Sequence, residues 1–531
     1  MTSDSNDSCL SQSRRDFCRS LSFAGGATLL SQAGATVWLG GSTIASAQNS
    51  NRTNRTTGRA DRTALNSLAP HFLLHIVVEQ GWSPSYLFDA RPRTFTSAGL
   101  WENYHDSNGE TLAWTDRRGR TGLVSPAMKS LSADFAENPC FSVVRGLHGS
   151  TDFDGHFENL RLLLSGSTTG GTYLGVNVNQ GSSRSGTLDT TPLDYLSLGQ
   201  VLFGSGLKGG TNLPLSLPLA QALRSMADGT TSPSRVASAA LGITRQNYTA
   251  AAQSSGLGGE GARQFGTAST QTGSIRSALS RLDLTGLPAS PSRRCADDVA
   301  LALRAFASGL GRTAIVGFPV FSMMVEGVEN VNIDSHDGGA AASQPAIYAA
   351  ISQQLADVFA LLRKTPFDAA GSLSFLDVTS VIVTSEFGRT NRQPGKAIDK
   401  TGTDHNRFGG MALVGGKGIE PGLFVGSTDL DQLVTKNDGS QDFAPPSLAH
   451  DRFDPGHLMA MGHVYDFGAG TSAPNARPET YRQGDYLTTG SLVNSVYSLF
   501  GVPEDSWRAQ SGLGGSVGDK FKVIQELIKK T

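Results

Sequence analysis

Carboxylates and imidazoles gather where buried runs of this chain end. Val331-Asn332-Ile333-Asp334-Ser335-His336-Asp337-Gly338 follows a strand-like stretch. Val383-Thr384-Ser385-Glu386-Phe387-Gly388-Arg389-Thr390 closes the strongest strand signal, and Thr403-Asp404-His405-Asn406 falls in the next loop. Earlier, Gly146-Leu147-His148-Gly149-Ser150-Thr151-Asp152-Phe153-Asp154-Gly155-His156 leaves another strand. Oxygen and imidazole donors spread widely in sequence but collected at strand exits suit a divalent metal with mixed coordination. Such an ion polarises a phosphoryl or sulfuryl oxygen, or lowers the pKa of bound water. Ordinary structural roles compete with this. Asp334 and His336 suit a loop hydrogen-bond pair, Glu386 a helix cap or a partner of Arg389, and Asp404-His405 a turn. Three such groups in one α/β frame favour a shared polar site. His450, His457 and His463, in a Pro/Asp/Gly-rich stretch, read as surface-loop residues.

Those residues need strands and helices to hold them. Phe72-Leu73-Leu74-His75-Ile76-Val77-Val78 is a near-continuous apolar run, the pattern of a strand covered on both faces. Phe141–Val144, Thr313–Phe321, Val378–Thr384 and Met411–Val414 are further predicted strands. Helices are predicted over 157–164, 296–310, 344–364, 491–500 and 519–529. That over 344–364 carries Ile347, Ala350, Ile351, Leu355, Val358, Phe359 and Leu362 on one stripe, with Ser343 as N-cap and Pro345 in the first turn. The Gly/Ser/Thr-rich stretch 167–192 reads as loop, and 225–290 as a cap or insertion with weak helical signals. The alternation predicts a mainly parallel sheet with a site at its carboxyl edge. No Gly-x-Gly-x-x-Gly follows the first strand and no Gly-Lys-Ser/Thr loop is present, which argues against nucleotide binding through those motifs.

The 531 residues suffice for one large α/β domain or two ordinary ones. Apolar residues at 38% against 17% charged leave ample core material, and a net charge of −2 gives no support for nucleic-acid binding. No run approaches 18 apolar residues, so a membrane-spanning bundle is not expected. Residues 1–47 read as a twin-arginine export signal: Arg14-Arg15, a Gly/Ala-rich apolar stretch from Leu21 to Ile44, then Ala45-Ser46-Ala47 as a cleavage site. The competing assignment, a short membrane anchor, is weakened by Gly25, Gly26, Gly34, Gly40 and Gly41. The expected partner is the twin-arginine translocation machinery and the expected location periplasmic or secreted. A polar lead-in covers 48–66 and the folded domain 67–531. Past the signal only Cys140 and Cys295 remain, enough for one disulfide or two buried thiols.

The export signal, Asp334-x-His336, Ser385-Glu386-Phe387-Gly388-Arg389-Thr390, Asp404-His405 and Gly409-Gly410-Met411-Ala412-Leu413-Val414-Gly415-Gly416 together resemble the bacterial domain-of-unknown-function family fifteen-hundred-and-one. The resemblance covers most of 70–505, with 200–290 poorly matched. By similarity that family belongs to the alkaline phosphatase/sulfatase superfamily. This implies a doubly wound α/β/α sandwich, alkaline phosphatase-like, with an inserted cap at about 200–290 and metals at the strand ends. It implies Asp334, His336, Glu386 and His405 as ligands, Asp404 as ligand or support, and Glu79 as the carboxylate after the first strand. Phe387 stands where superfamily enzymes carry a second ligand. In sulfatases and nucleotide phosphodiesterases the nucleophile lies ten residues before a glycine. Here that glycine is Gly166 and the residue is His156, which suits a nucleophile, a ligand or the mark of a lost activity. Arg389 would clamp an anionic oxygen. The functional expectation is an exported hydrolase of phosphate or sulfate esters, using Zn, Mn, Ca or Mg on a small-molecule or polysaccharide ester. The alternative is a non-catalytic binding or surface-assembly protein on a degenerate form of the fold.

Overall fold

The computed structural model describes residues 71–90, 111–149, 155–165, 293–320, 322–329, 331–336, 343–389, 405–429, 461–473, 483–502 and 522–529, with shorter pieces between 174 and 287 and at 433–435 and 441–443. The export signal, the lead-in, most of the 200–290 insertion, Ser150, Thr151, Asp404, His450 and His457 lie outside the described residues.

Six-residue runs with no exposed side chain build the centre. Phe72–Val77 (β1) and Thr379–Thr384 (β5) are buried at every position, as a strand covered on both faces must be. They belong to a seven-stranded sheet with Phe141–Leu147 (β2), Leu196–Gly199 (β3), Thr313–Gly317 (β4), Gly410–Gly416 (β6) and Phe424–Val425 (β7). The order is β7-β2-β6-β5-β1-β4-β3. β1 pairs parallel with β4 and β5, β3 with β4, and β7 with β2. β6 alone runs antiparallel to its neighbours β5 and β2. The expected mainly parallel α/β sheet is therefore present, with one reversed strand in its interior.

Side chains alternate across the sheet and feed two cores. Leu74, Ile76, Val143, Val316, Val381, Val383 and Leu413 join the core formed with the helices Cys295–Ser308 (α2) and Gln344–Lys364 (α3). Leu73, Val77, Val144, Ile315, Ile382, Ala412 and Val414 join the other, formed with His156–Ser165 (α1) and Thr489–Leu499 (α4). α3 spans the predicted residues, with Pro345 in its first turn. Ser343 precedes it, but its side chain makes no capping bond there. By length and composition α3 is apolar enough to cross a bilayer; here its stripe from Ile347 to Leu362 is buried core. α2 ends where Gly309 turns left-handed (φ 77°), and α4 starts where the Thr488 side chain accepts from the Ser491 N–H.

Three expectations are corrected. The strand expected over 313–321 ends at Gly317. The described part of the helix expected over 519–529 is a single 3₁₀ turn, Gln525–Leu527, whose Leu527 is buried among apolar neighbours. His463 is buried rather than a surface-loop residue, with Nδ1 2.8 Å from Ser427 Oγ. Cys140 and Cys295 are both free and buried, and burial pushes the Cys140 thiol up to about 12.

Candidate metal centre

Parallel strands send all their exits to one edge of a sheet. The segments after β1, β2, β4 and β5 emerge there, and reversed β6 begins there. Four residues meet at that edge. Suitable donor atoms of His156, Asp334, His336 and His405 all lie within 4.8 Å of one another. His156 is the first residue of α1, after β2. Asp334 and His336 come from the loop after β4, and His405 from the two-residue strand that precedes β6. All four are half-buried, so the cluster is reachable from solvent. Among the described residues this is the group that could hold a metal ion. The donor chemistry fits one: three imidazoles and a carboxylate are zinc-type ligands, and their four donor atoms all lie within 4.8 Å of one another.

The stretch Ser385-Glu386-Phe387-Gly388-Arg389 builds the floor of this cluster, and each residue has a distinct task. Ser385 Oγ donates to Glu386 Oε2 at 2.9 Å. Glu386 Oε1 lies 2.6 Å from His156 Nδ1 and accepts from the Gln80 N–H at 2.7 Å. Burial pushes the Glu386 carboxyl up, but its bond to His156 and the hydrogen bonds around it win and hold it below the usual carboxylate range. Phe387 packs its ring 4.9 Å from that of His156 and 4.2 Å from that of His405. Gly388 lets backbones approach: a Cβ there would lie 2.5 Å from the Gly409 carbonyl oxygen. That approach lets Gly388–Arg389 pair with His405–Asn406, with Arg389 opposite His405.

Arg389 is fully buried and turned inward. Its Nε donates to the Gln80 and Gly81 carbonyls, and its Nη2 to the Gln80 carbonyl and to Asp334 Oδ1. The same Asp334 oxygen lies 3.1 Å from His336 Nε2. Asn332 brackets Asp334, accepting from its N–H and donating to its carbonyl. Two residues of the β1 exit complete the frame. Gln80 sits at φ 87°, unusual for a residue with a Cβ, and its Oε1 accepts from the Ile333 N–H. Gly81 is left-handed too (φ 67°), and a Cβ on it would lie 2.2 Å from Phe387 Cε2.

Asp334, His336 and His405, expected as ligands, are thus brought together, and His156 joins them. Glu386 reaches the cluster only through His156, and Glu79 is buried outside the group. Arg389 is held by protein acceptors at Gln80, Gly81 and Asp334. Sequence reasoning missed Gln80 and Asn332, which carry no titratable group. The one signal for Gln80 was the turn-forming Gln80-Gly81 pair after a buried strand.

No curated protein matches the chain. The family model described as protein of unknown function (DUF1501) matches residues 328–455, the span that supplies Asp334, His336, Glu386, Arg389 and His405, whereas Gln80 and His156 come from outside it. That stretch is similar to the DUF1501 family, in agreement with the motifs that resemble it.

Proposed function

We propose that the protein is a metal-dependent hydrolase of phosphate or sulfate esters, exported by the twin-arginine route and built on an alkaline phosphatase-like sandwich with a cap at about 200–290. The observation that carries this reading is the meeting of three imidazoles and one carboxylate, from three separate segments, at the carboxyl edge of a mostly parallel sheet. His156, Asp334, His336 and His405 would hold the ion. Three imidazoles favour Zn over Mn, Ca and Mg, which suit oxygen donors better. A bound ion would supply Lewis-acid polarisation of the ester oxygen.

The chain's own residues prepare that site. Arg389 fixes the Asp334 carboxylate and balances its charge. Phe387 replaces a second polar ligand by an apolar wall, which favours a single ion and keeps water from the underside of the two rings it packs on. Phe387 also supports the second reading, a cation-holding binding protein without turnover. A panel of aryl phosphates and aryl sulfates, assayed with Zn or Mn added back, separates the two. The expected result is hydrolysis that His336→Ala and His405→Ala each reduce by about a hundredfold or more. Absence of turnover across the panel, with the ion bound, would favour the binding protein.

A further inference from the structure

We propose that Glu386 is a positioning residue that fixes the tautomer of His156, so that Nδ1 carries the proton and Nε2 is the atom presented to the cation. This deepens the cation-binding reading and rests on it. A carboxylate only accepts hydrogen bonds, and Glu386 Oε1 lies 2.6 Å from His156 Nδ1. Its oxygens are held by two further donors, the Gln80 N–H at 2.7 Å and the Ser385 hydroxyl at 2.9 Å. The carboxylate therefore cannot swing toward the cluster without giving up fixed partners. A neutral imidazole protonated at Nδ1 keeps its lone pair on Nε2. Carboxylate–histidine pairs of this kind orient the ring and raise its basicity toward a metal.

Gln80 is the anchor of the pair. Its left-handed backbone turns the N–H to Glu386, while its carbonyl accepts from Arg389 and its side-chain Oε1 from Ile333 N–H. One residue thereby ties the carboxylate behind His156 to the loop that carries Asp334 and His336.

Glu386→Gln in the full chain tests the assignment. The amide oxygen can keep its bonds to His156 and Gln80, and the amide NH₂ can donate to the Ser385 hydroxyl, so the shape survives and the charge is lost. Binding of Zn²⁺ and Co²⁺ is measured by chelator competition, and the His156 tautomer by ¹⁵N NMR of histidine-labelled, metal-free protein. His156→Ala identifies the resonance. The expected result is an Nδ1–H tautomer in the wild type, and Zn²⁺ affinity about 10- to 100-fold weaker in Glu386→Gln with the unfolding midpoint little changed. If Glu386→Gln does not fold, Ser385→Ala keeps the carboxylate but frees one oxygen, and a smaller loss in the same direction is expected. Wild-type affinity retained in the variant, or an Nε2–H tautomer in the wild type, overturns the positioning role alone. A wild type that takes up neither ion overturns the cation reading itself.

Discussion

Gly81 shows how tightly single residues constrain this site. Its φ of 67° and the 2.2 Å approach that a Cβ would make to Phe387 leave no room for a side chain. Gly81→Ala must strain the turn and push the ring that supports His156 and His405. The expected outcome is a loss of about 2–4 kcal/mol in urea unfolding, with the cation affinity falling as well; unchanged stability would mean that Phe387 is not held there. At this scale the sequence spoke unevenly. Asp334, His336 and His405 stood out because polar groups at strand exits have few structural reasons to cluster. The division of labour between Glu386 and His156 was hidden. Spacing places a side chain near an edge, but which of two neighbours faces the cluster depends on a 2.6 Å contact across 230 residues. Arg389 was likewise recognisable as a charge, but not as one turned inward onto backbone carbonyls.

Elements were legible where one physical signal dominated. β1, β5 and α3 follow from burial on two faces or along one stripe, and their limits fall within a residue of expectation. Strand direction was not legible. Met411–Val414 reads the same whichever way it runs, and only its pairing with Thr384 and Val383 shows that β6 is reversed. That reversal matters for the site. A parallel β6 would begin at the opposite edge, and His405, four residues upstream of Gly409, would leave the cluster. The short ladder between Gly388–Arg389 and His405–Asn406 was invisible too, since two-residue strands have no periodicity to read. Near the C-terminus, Ile524 and Leu527 are buried as an amphipathic helix would bury them, yet the segment is a 3₁₀ turn. Apolar spacing of three fits both.

For the molecule as a whole, buried neutral histidines set a limit at acid pH. Burial lowers His71, His75 and His148 to about 3. An unfolded histidine titrates near 6.5, so these three take up protons on unfolding at any pH between about 3 and 6.5. Their contribution is complete above about pH 6.5 and falls as pH drops, by up to about 1.4 kcal/mol per pH unit for each group. Urea unfolding at pH 7.5, 6.0 and 5.0 is expected to show stability declining below 6.5, and His71→Gln to flatten that slope by about one proton. A slope that the substitution leaves unchanged would assign the acid sensitivity to other groups. The sheet that encloses these histidines also delivers three remote segments to one edge, and the functional reading depends on that convergence. The most direct check is elemental analysis of full-length protein purified without chelator and equilibrated with Zn²⁺ or Mn²⁺. About one equivalent per chain is expected, falling below about a tenth in His336→Ala and His405→Ala. Uptake absent from the wild type, or equal in all three proteins, would contradict a shared centre of His156, Asp334, His336 and His405.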